Sequence, residues 1–194
     1  MEAPDNQPNW EEIAEKFDVW LPQLAPVGEA LLKKLGAQAG DTVLDIASGT
    51  GEPALTLARN MKDQVHITGI DLAKGMIEVA QQKVIKEKLK NIEFEVMPAE
   101  DMEFVDSSFH RILSRFGIMF FKDQLTGLKE IYRVLMPGGT YALAVWGTAA
   151  SMHTLRWAYE VFKNKIDIEF YPPLDVVTSL GDKNVMSDLL SEAG

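Results

Sequence analysis

Residues 43–55 read Val-Leu-Asp-Ile-Ala-Ser-Gly-Thr-Gly-Glu-Pro-Ala-Leu, a short apolar strand that runs through a glycine turn into a helix. Twenty residues past Gly51 a second strand ends in Gly69-Ile70-Asp71. Such a turn sets bare backbone N–H groups and the positive helix end against a negatively charged ligand. Gly49 and Gly51 let the backbone come close, Pro53 suits the first helical turn, and Leu55, Leu57, Ala58 and Met61 give the helix a buried stripe. Asp71, at the carboxyl end of the next strand, is placed to accept both hydroxyls of a ribose. The expected ligand is adenosine-like, with an acidic group at its far end.

Two ligand classes satisfy this pattern. Read as G-x-G-x-x-A, residues 49–54 match a dinucleotide fingerprint, with Asp71 at the distance used for NAD. A dehydrogenase normally adds a second mononucleotide half and a substrate domain, and 194 residues leave little room for them. With 46% hydrophobic residues the chain can build one sizeable core. The absence of cysteine excludes disulfides, thiolate metal sites and a cysteine nucleophile, and no metal is expected. The first residues lack the charge and apolar stretch of a signal peptide, and no apolar run approaches a membrane span, so the reading is an intracellular, cytoplasmic chain. A net charge of −10 argues against a nucleic-acid partner and favours a small-molecule substrate; the oligomeric state is not legible.

The hydrophobic patterning alternates. Asn9 followed by Glu12 predicts a capped helix start, with Trp10, Ile13, Phe17, Trp20 and Leu24 recurring at helical spacing until Pro22 disturbs the run. A second helix is expected over 26–35, ending at Gly36. Strands are expected near 42–47, 65–70, 92–97, 109–114 and 140–146, and helices near 52–61, 74–89, 124–135, 151–165 and 183–192. Lys83 to Lys90 reads as a solvated, charged helix end. Alternation of this kind predicts an α/β domain, a doubly wound parallel sheet covered on both faces.

Four blocks in this order, VLDIASGTGEPAL at 43–55, GIDLAKGMI at 69–77, PAEDMEFVDSSFHRILSRFGIMFF at 98–121 and EIYRVLMPGGTYALAVW at 130–146, resemble the Rossmann-like S-adenosylmethionine-dependent methyltransferases. Within these, the group similar to the ubiquinone/menaquinone-biosynthesis enzymes fits over roughly residues 10–150. The chain departs from that pattern at five places: Ala47 replaces the first loop glycine, Pro98 an acidic residue, Ala73 a helix-starting serine, His110 an aspartate and Phe17 a tyrosine.

The resemblance implies S-adenosylmethionine as cofactor and one methyltransferase domain: helices and a possible lid over 1–36, a cofactor-binding core over 41–146, and a substrate-side helical segment over 147–194. Ala47, Ser48, Gly49 and Gly51 would hold the methionine carboxylate. Asp45 would order the loop or reach the methionine amine, and Asp71 would take the ribose. Leu72 and Met76 would flank the adenine, with Ala99 and Glu100 at its edge, and Ser114 would face the methionine portion. For Met76 and Leu72, plain packing is an equal reading.

On the substrate side, Arg115 and Phe116 lead a segment that would line a pocket or be buried with Arg115 in an ion pair. Trp10, Phe17 and Trp20 would form an aromatic lid or simply pack. His66 and His110 fall at strand beginnings, away from the site, and Glu130 with Arg133 reads as structural. His153, and more weakly Tyr171, are the available catalytic bases. The implied reaction is methyl transfer to oxygen, nitrogen or carbon of a small metabolite; an inactive domain that only binds an adenosyl ligand, or an NAD-dependent oxidoreductase, are the alternatives. Two further strands expected by the resemblance are absent before Gly194, so the chain is expected to continue beyond it unless residues 166–180 supply a strand beside the fifth.

Overall fold

In the first strand, β1 (Thr42–Ile46), successive apolar residues are buried on opposite faces, as a strand covered on both sides demands. Val43 joins one apolar cluster, whereas Leu44 and Ile46 join a second. The computed structural model describes residues 8–162 and 173–194. The remaining strands are β2 (His66–Asp71), β3 (Ile92–Val96), β4 (Phe109–Arg115) and β5 (Leu135–Ala144). All pair in parallel, in the order β3-β2-β1-β4-β5.

The helices are α1 (Trp10–Phe17), α2 (Leu21–Leu35), α3 (Ala54–Met61), α4 (Lys74–Glu87), α5 (Gln124–Val134), α6 (His153–Phe162), α7 (Leu174–Val177) and α8 (Lys183–Ala193). The Val43 cluster takes Leu31 and Leu35 of α2, Leu55 and Ala58 of α3, and Ile77 and Ala80 of α4. The Leu44 cluster takes Leu128, Ile131 and Val134 of α5, with Val177 of α7 and Met186 and Leu189 of α8 against it. The expected doubly wound, Rossmann-like sheet with helices on both faces is present. Because β2 and β3 continue to one side of β1 while β4 and β5 lie on the other, the order reverses between β1 and β4. Open sheets of this kind bind ligands at the carboxyl ends beside that reversal.

Several local expectations are corrected. Asn9 caps α1 without a side-chain bond, so its expected reciprocal cap with Glu12 does not form. Pro22 does not delay the second helix: it sits in the first turn of α2, where no N–H is required, after a 3-10 turn at Asp18–Trp20. Pro53 precedes α3 as its N-cap instead of occupying the first turn. β5 starts at Leu135, opposite Phe109, bulges through Pro137-Gly138-Gly139 with Gly138 at φ +80°, and resumes at Thr140 opposite Arg111. The Pro-Gly-Gly stretch is thus an irregularity inside a strand. Residues 173–180 carry the short helix α7 and no strand, so among the described residues β5 is a sheet edge; 166–172 lie outside them. No helix among the described residues is long and apolar enough to cross a membrane.

Candidate cofactor and methyl-transfer site

The turn after β1 keeps a glycine-like shape although its first residue is alanine. Ala47 holds φ +56°, a conformation that costs an L residue about 1–2 kcal/mol. Its methyl group fills space left by Gly117 in the turn after β4: a Cβ at 117 would lie 2.3 Å from that of Ala47 and 3.0 Å from Ser114 Oγ. The two turns that flank the strand-order reversal therefore interlock. Gly51, at φ +101°, admits no side chain because a Cβ would meet Leu55 at 2.7 Å and Phe94 at 3.1 Å.

Asp71 is the anchor of the loop. Its carboxylate accepts the Gly49 N–H at 2.8 Å and the Ala73 N–H at 2.9 Å. Burial raises its pKa above the usual carboxylate range, and those two N–H groups oppose the rise. A carboxylate has about four acceptor positions, so two N–H donors leave capacity for ribose hydroxyls.

Asp45 is different. It is 1% exposed, and neither carboxyl oxygen has a well-formed hydrogen bond. Burial pushes its pKa up to about 8, against the pull of the Arg115 charge and the Ala54 N–H. Ser48 Oγ and Ser114 Oγ are also buried without partners. A buried polar group without a bond costs about 1–3 kcal/mol, and here three such groups gather at the ends of β1 and β4. Acceptors and hydroxyls of this kind suit the amine and carboxylate of a bound methionine moiety, so the residues present fit the expected cofactor.

Arg115 is half-buried at the end of β4. Its Nη1 points at the Leu24 carbonyl of α2 at 3.5 Å, and burial lowers its pKa while Asp45 and Glu52 oppose that shift. Phe116, at φ +61°, stacks on Trp146 with centroids 4.1 Å apart and planes 10° from parallel.

Around the expected adenine region, Met76 is 2% exposed and packs under α1 with Ala14 and Ala73, whereas Leu72 is 56% exposed. Ala99 is buried in the second apolar cluster. Glu100 accepts the Lys122 N–H at 2.7 Å, tying its loop to the start of α5.

The first helix crosses this end of the sheet. Glu11 accepts the N–H groups of Lys74 (2.7 Å) and Gly75 (2.5 Å), so a carboxylate from α1 supplies the cap for α4 that Ala73 lacks. Phe17 lies against Gly49, and Trp10 meets Phe120 edge-on at 5.2 Å. Trp20, by contrast, is 53% exposed.

The Lys83–Lys90 expectation is corrected at its first residue. Lys83 Nζ donates to Asp18 and to the Thr50 carbonyl, each at 2.8 Å, and Thr50 Oγ1 donates to Asp18 at 2.7 Å. Charge counting along one helix had no means of finding this, because both partners come from other elements.

His153 is exposed at the start of α6, and Tyr171 lies outside the described residues. His110 Nδ1 accepts the Thr42 N–H at 3.1 Å, and His66 pairs with Glu93 at 3.1 Å. Both serve the amino-end side of the sheet. Arg133 bonds Glu130, Asp106 and the carbonyls of Met102 and Phe104, a structural knot.

Residues 28–170 match the sequence model of the ubiE/COQ5 methyltransferase family. The chain is 33% identical over 186 residues to the ubiquinone/menaquinone biosynthesis C-methyltransferase UbiE of Geotalea daltonii, covering 89% of this chain and 76% of that one. It is 34% identical over 111 residues to a demethylmenaquinone methyltransferase of Listeria monocytogenes, a match that spans 57% of this chain and about half (47%) of that relative. Among solved structures, a methyltransferase-like chain of Haloferax volcanii in complex with the Trm112 activator superposes with a TM-score of 0.77 at 21% identity, covering 97% of this chain and 76% of that one. An Aquifex aeolicus SAM-dependent methyltransferase superposes with a TM-score of 0.73 at 23% identity, covering 97% and 89%. At those identities the likeness shows the fold, whereas the sequence matches fix the kinship. The chain belongs to the ubiE/COQ5 methyltransferase family and is an S-adenosylmethionine-dependent methyltransferase of small molecules.

Proposed function

We propose that this methyltransferase is a cytoplasmic enzyme that binds S-adenosylmethionine across the ends of β1, β2 and β4, and methylates a small, apolar or aromatic metabolite brought in beside β4 and β5. The observation that carries the reading is the set of buried, unpartnered polar groups, Asp45, Ser48 and Ser114, at the strand-order reversal. When bound, the sulfonium supplies a methyl group for in-line displacement.

The chain's task is then positional. The Ser48, Gly49 and Gly51 N–H groups are already bonded to the Ile70 carbonyl, Asp71 and the Ser48 carbonyl, so the methionine carboxylate falls to the unpartnered Ser48 and Ser114 hydroxyls, Asp45 receives the amine, and Asp71 holds the ribose while keeping the turn in shape through Gly49. Holding reacting atoms in line is worth up to about 7–11 kcal/mol in favourable intramolecular cases. Such an enzyme needs only a modest base, or none when the acceptor atom is already nucleophilic. Phe116 and Trp146 offer an aromatic wall on the substrate side, and α1 with Phe17 covers the turn. The net charge of −10 favours a small-molecule substrate over nucleic acid. Carbon methylation of a quinone-type ring is the substrate class that the Geotalea and Listeria relatives suggest.

Calorimetry tests the reading. S-adenosylmethionine and S-adenosylhomocysteine should bind and NAD should not, and labelled methyl should pass to an added demethylated quinone-type acceptor. Binding of NAD with no uptake of either adenosyl ligand overturns it, and binding without product on any acceptor supports a ligand-binding domain instead.

A further inference from the structure

Lys83 lies in the second half of α4, and its side chain is 19% exposed. All its hydrogen bonds go to the two segments that frame the cofactor site. One goes to Asp18, in the 3-10 turn that follows α1, and the other to the carbonyl of Thr50, between the two loop glycines. Thr50 is itself buried and bonds the same carboxylate through its hydroxyl. Charge and backbone thus form a closed triangle of Lys83, Asp18 and Thr50. It pins the helix that crosses the site to the turn that must hold the methionine end.

We propose that Lys83 is a positioning residue of this enzyme, which acts through Asp18 and the Thr50 carbonyl to lock α1 and the 47–51 turn into their ligand-receiving arrangement. This deepens the cofactor site proposed above and rests on that reading. A neutral side chain at 83 leaves the buried Thr50 carbonyl without its donor and Asp18 without its counter-charge, and both segments are then free to shift. Lysine also has the reach to come from α4 and touch both segments, which an exposed, fully hydrated ammonium would not do.

The test uses Lys83→Met, Lys83→Arg, Asp18→Asn, the double variant Lys83→Met/Asp18→Asn, and Lys86→Met as the control on the same helix. Hydrogen exchange on the ligand-free protein should quicken in peptides covering residues 10–20 and 47–53 in Lys83→Met and stay unchanged in Lys86→Met. Affinity for S-adenosylhomocysteine should fall about five- to twentyfold in Lys83→Met, with kcat at saturating cofactor retained, partial rescue in Lys83→Arg, and no further loss in the double variant. Unchanged exchange in Lys83→Met overturns the clamp. Quickened exchange with unchanged affinity overturns the positioning role and leaves only a stabilising contact. If the wild-type chain takes up no S-adenosylhomocysteine, the functional reading and the positioning role fall together, while the exchange data on the ligand-free protein still decide the clamp.

Discussion

The carboxyl ends of β1 and β2 are held by charged side chains bonded to backbone, whereas those of β4 and β5 are held by rings and apolar packing. On the first side Asp71 grips Gly49 and Ala73, Glu11 grips the start of α4, and Lys83 grips Thr50. On the second, Phe116 stacks on Trp146 and Arg115 lies half-buried under α2. In the function proposed above, the first side meets fixed features of a ligand, charge and ribose hydroxyls, and its geometry is set by directional bonds. The second, on the same proposal, presents a shaped apolar wall, and rings and packing can be varied there without loosening the glycine turn.

The largest expected effect comes from removing the anchor on the charged side. Asp71→Ala takes away the proposed ribose acceptor and frees the Gly49 and Ala73 N–H groups, so S-adenosylhomocysteine affinity should fall roughly ten- to a hundredfold by calorimetry. Trp146→Ala, on the other side, should leave that affinity within about twofold. Equal losses from the two variants would erase the distinction between the regions.

Next in size is the response of Asp45 to pH. Its folded pKa of about 8 lies above the ordinary 3.8, so the fold favours the protonated carboxyl. The stability this contributes is fully present below about pH 4 and is lost as the pH rises through 8. Thermal melts of the ligand-free protein should therefore show the wild type losing stability relative to Asp45→Asn between pH 5 and 9. A ligand amine beside Asp45 favours the ionised form, so cofactor affinity should rise toward pH 8, by at most about tenfold per unit. The Asn variant should show a flat profile; a parallel slope in both proteins would remove Asp45 from the binding event.

A further test probes stability at the seam where the two sides meet. Gly117→Ala forces a methyl group against that of Ala47 and should cost about 1–3 kcal/mol by denaturant titration. Ala47→Gly opens the space and should restore much of that loss. Alone, it should change stability by only about 0.5 kcal/mol, because relief of the left-handed backbone is offset by glycine's extra chain entropy. Additive losses in the pair would show that the turns do not interlock.

Legibility in the sequence followed the range of the forces. The places of Asp45 and Asp71 on strands and of Gly49 and Gly51 in the turn were readable because turn geometry and strand ends are local properties that leave a fixed spacing. The alternation of strands and helices gave the sheet for the same reason. Strand boundaries failed where an irregularity was involved: the Pro-Gly-Gly of β5 looks like a stop, but the chain bulges and pairs on both sides of it. The bonds of Glu11 to the start of α4 and of Lys83 to Thr50 were invisible, since each joins a side chain to a backbone group far away in sequence. Arg115 was visible in the sequence, but its half-buried place beneath α2, with Nη1 toward the Leu24 carbonyl, was not.

The sequence alone determined the parallel, two-faced sheet, the glycine turn after β1 and the acidic ends of β1 and β2, all consequences of period, sterics and turn chemistry acting over a few residues. Tertiary structure decided which partners those groups meet. It paired Asp71 with Gly49, left Asp45 buried and unbonded at the reversal of strand order, fitted the Ala47 methyl into the gap at Gly117, and brought Lys83 to Asp18 and Thr50. Those outcomes depend on how whole elements pack, and burial and hydrogen bonding between distant segments leave no spacing in a chain from which they can be read.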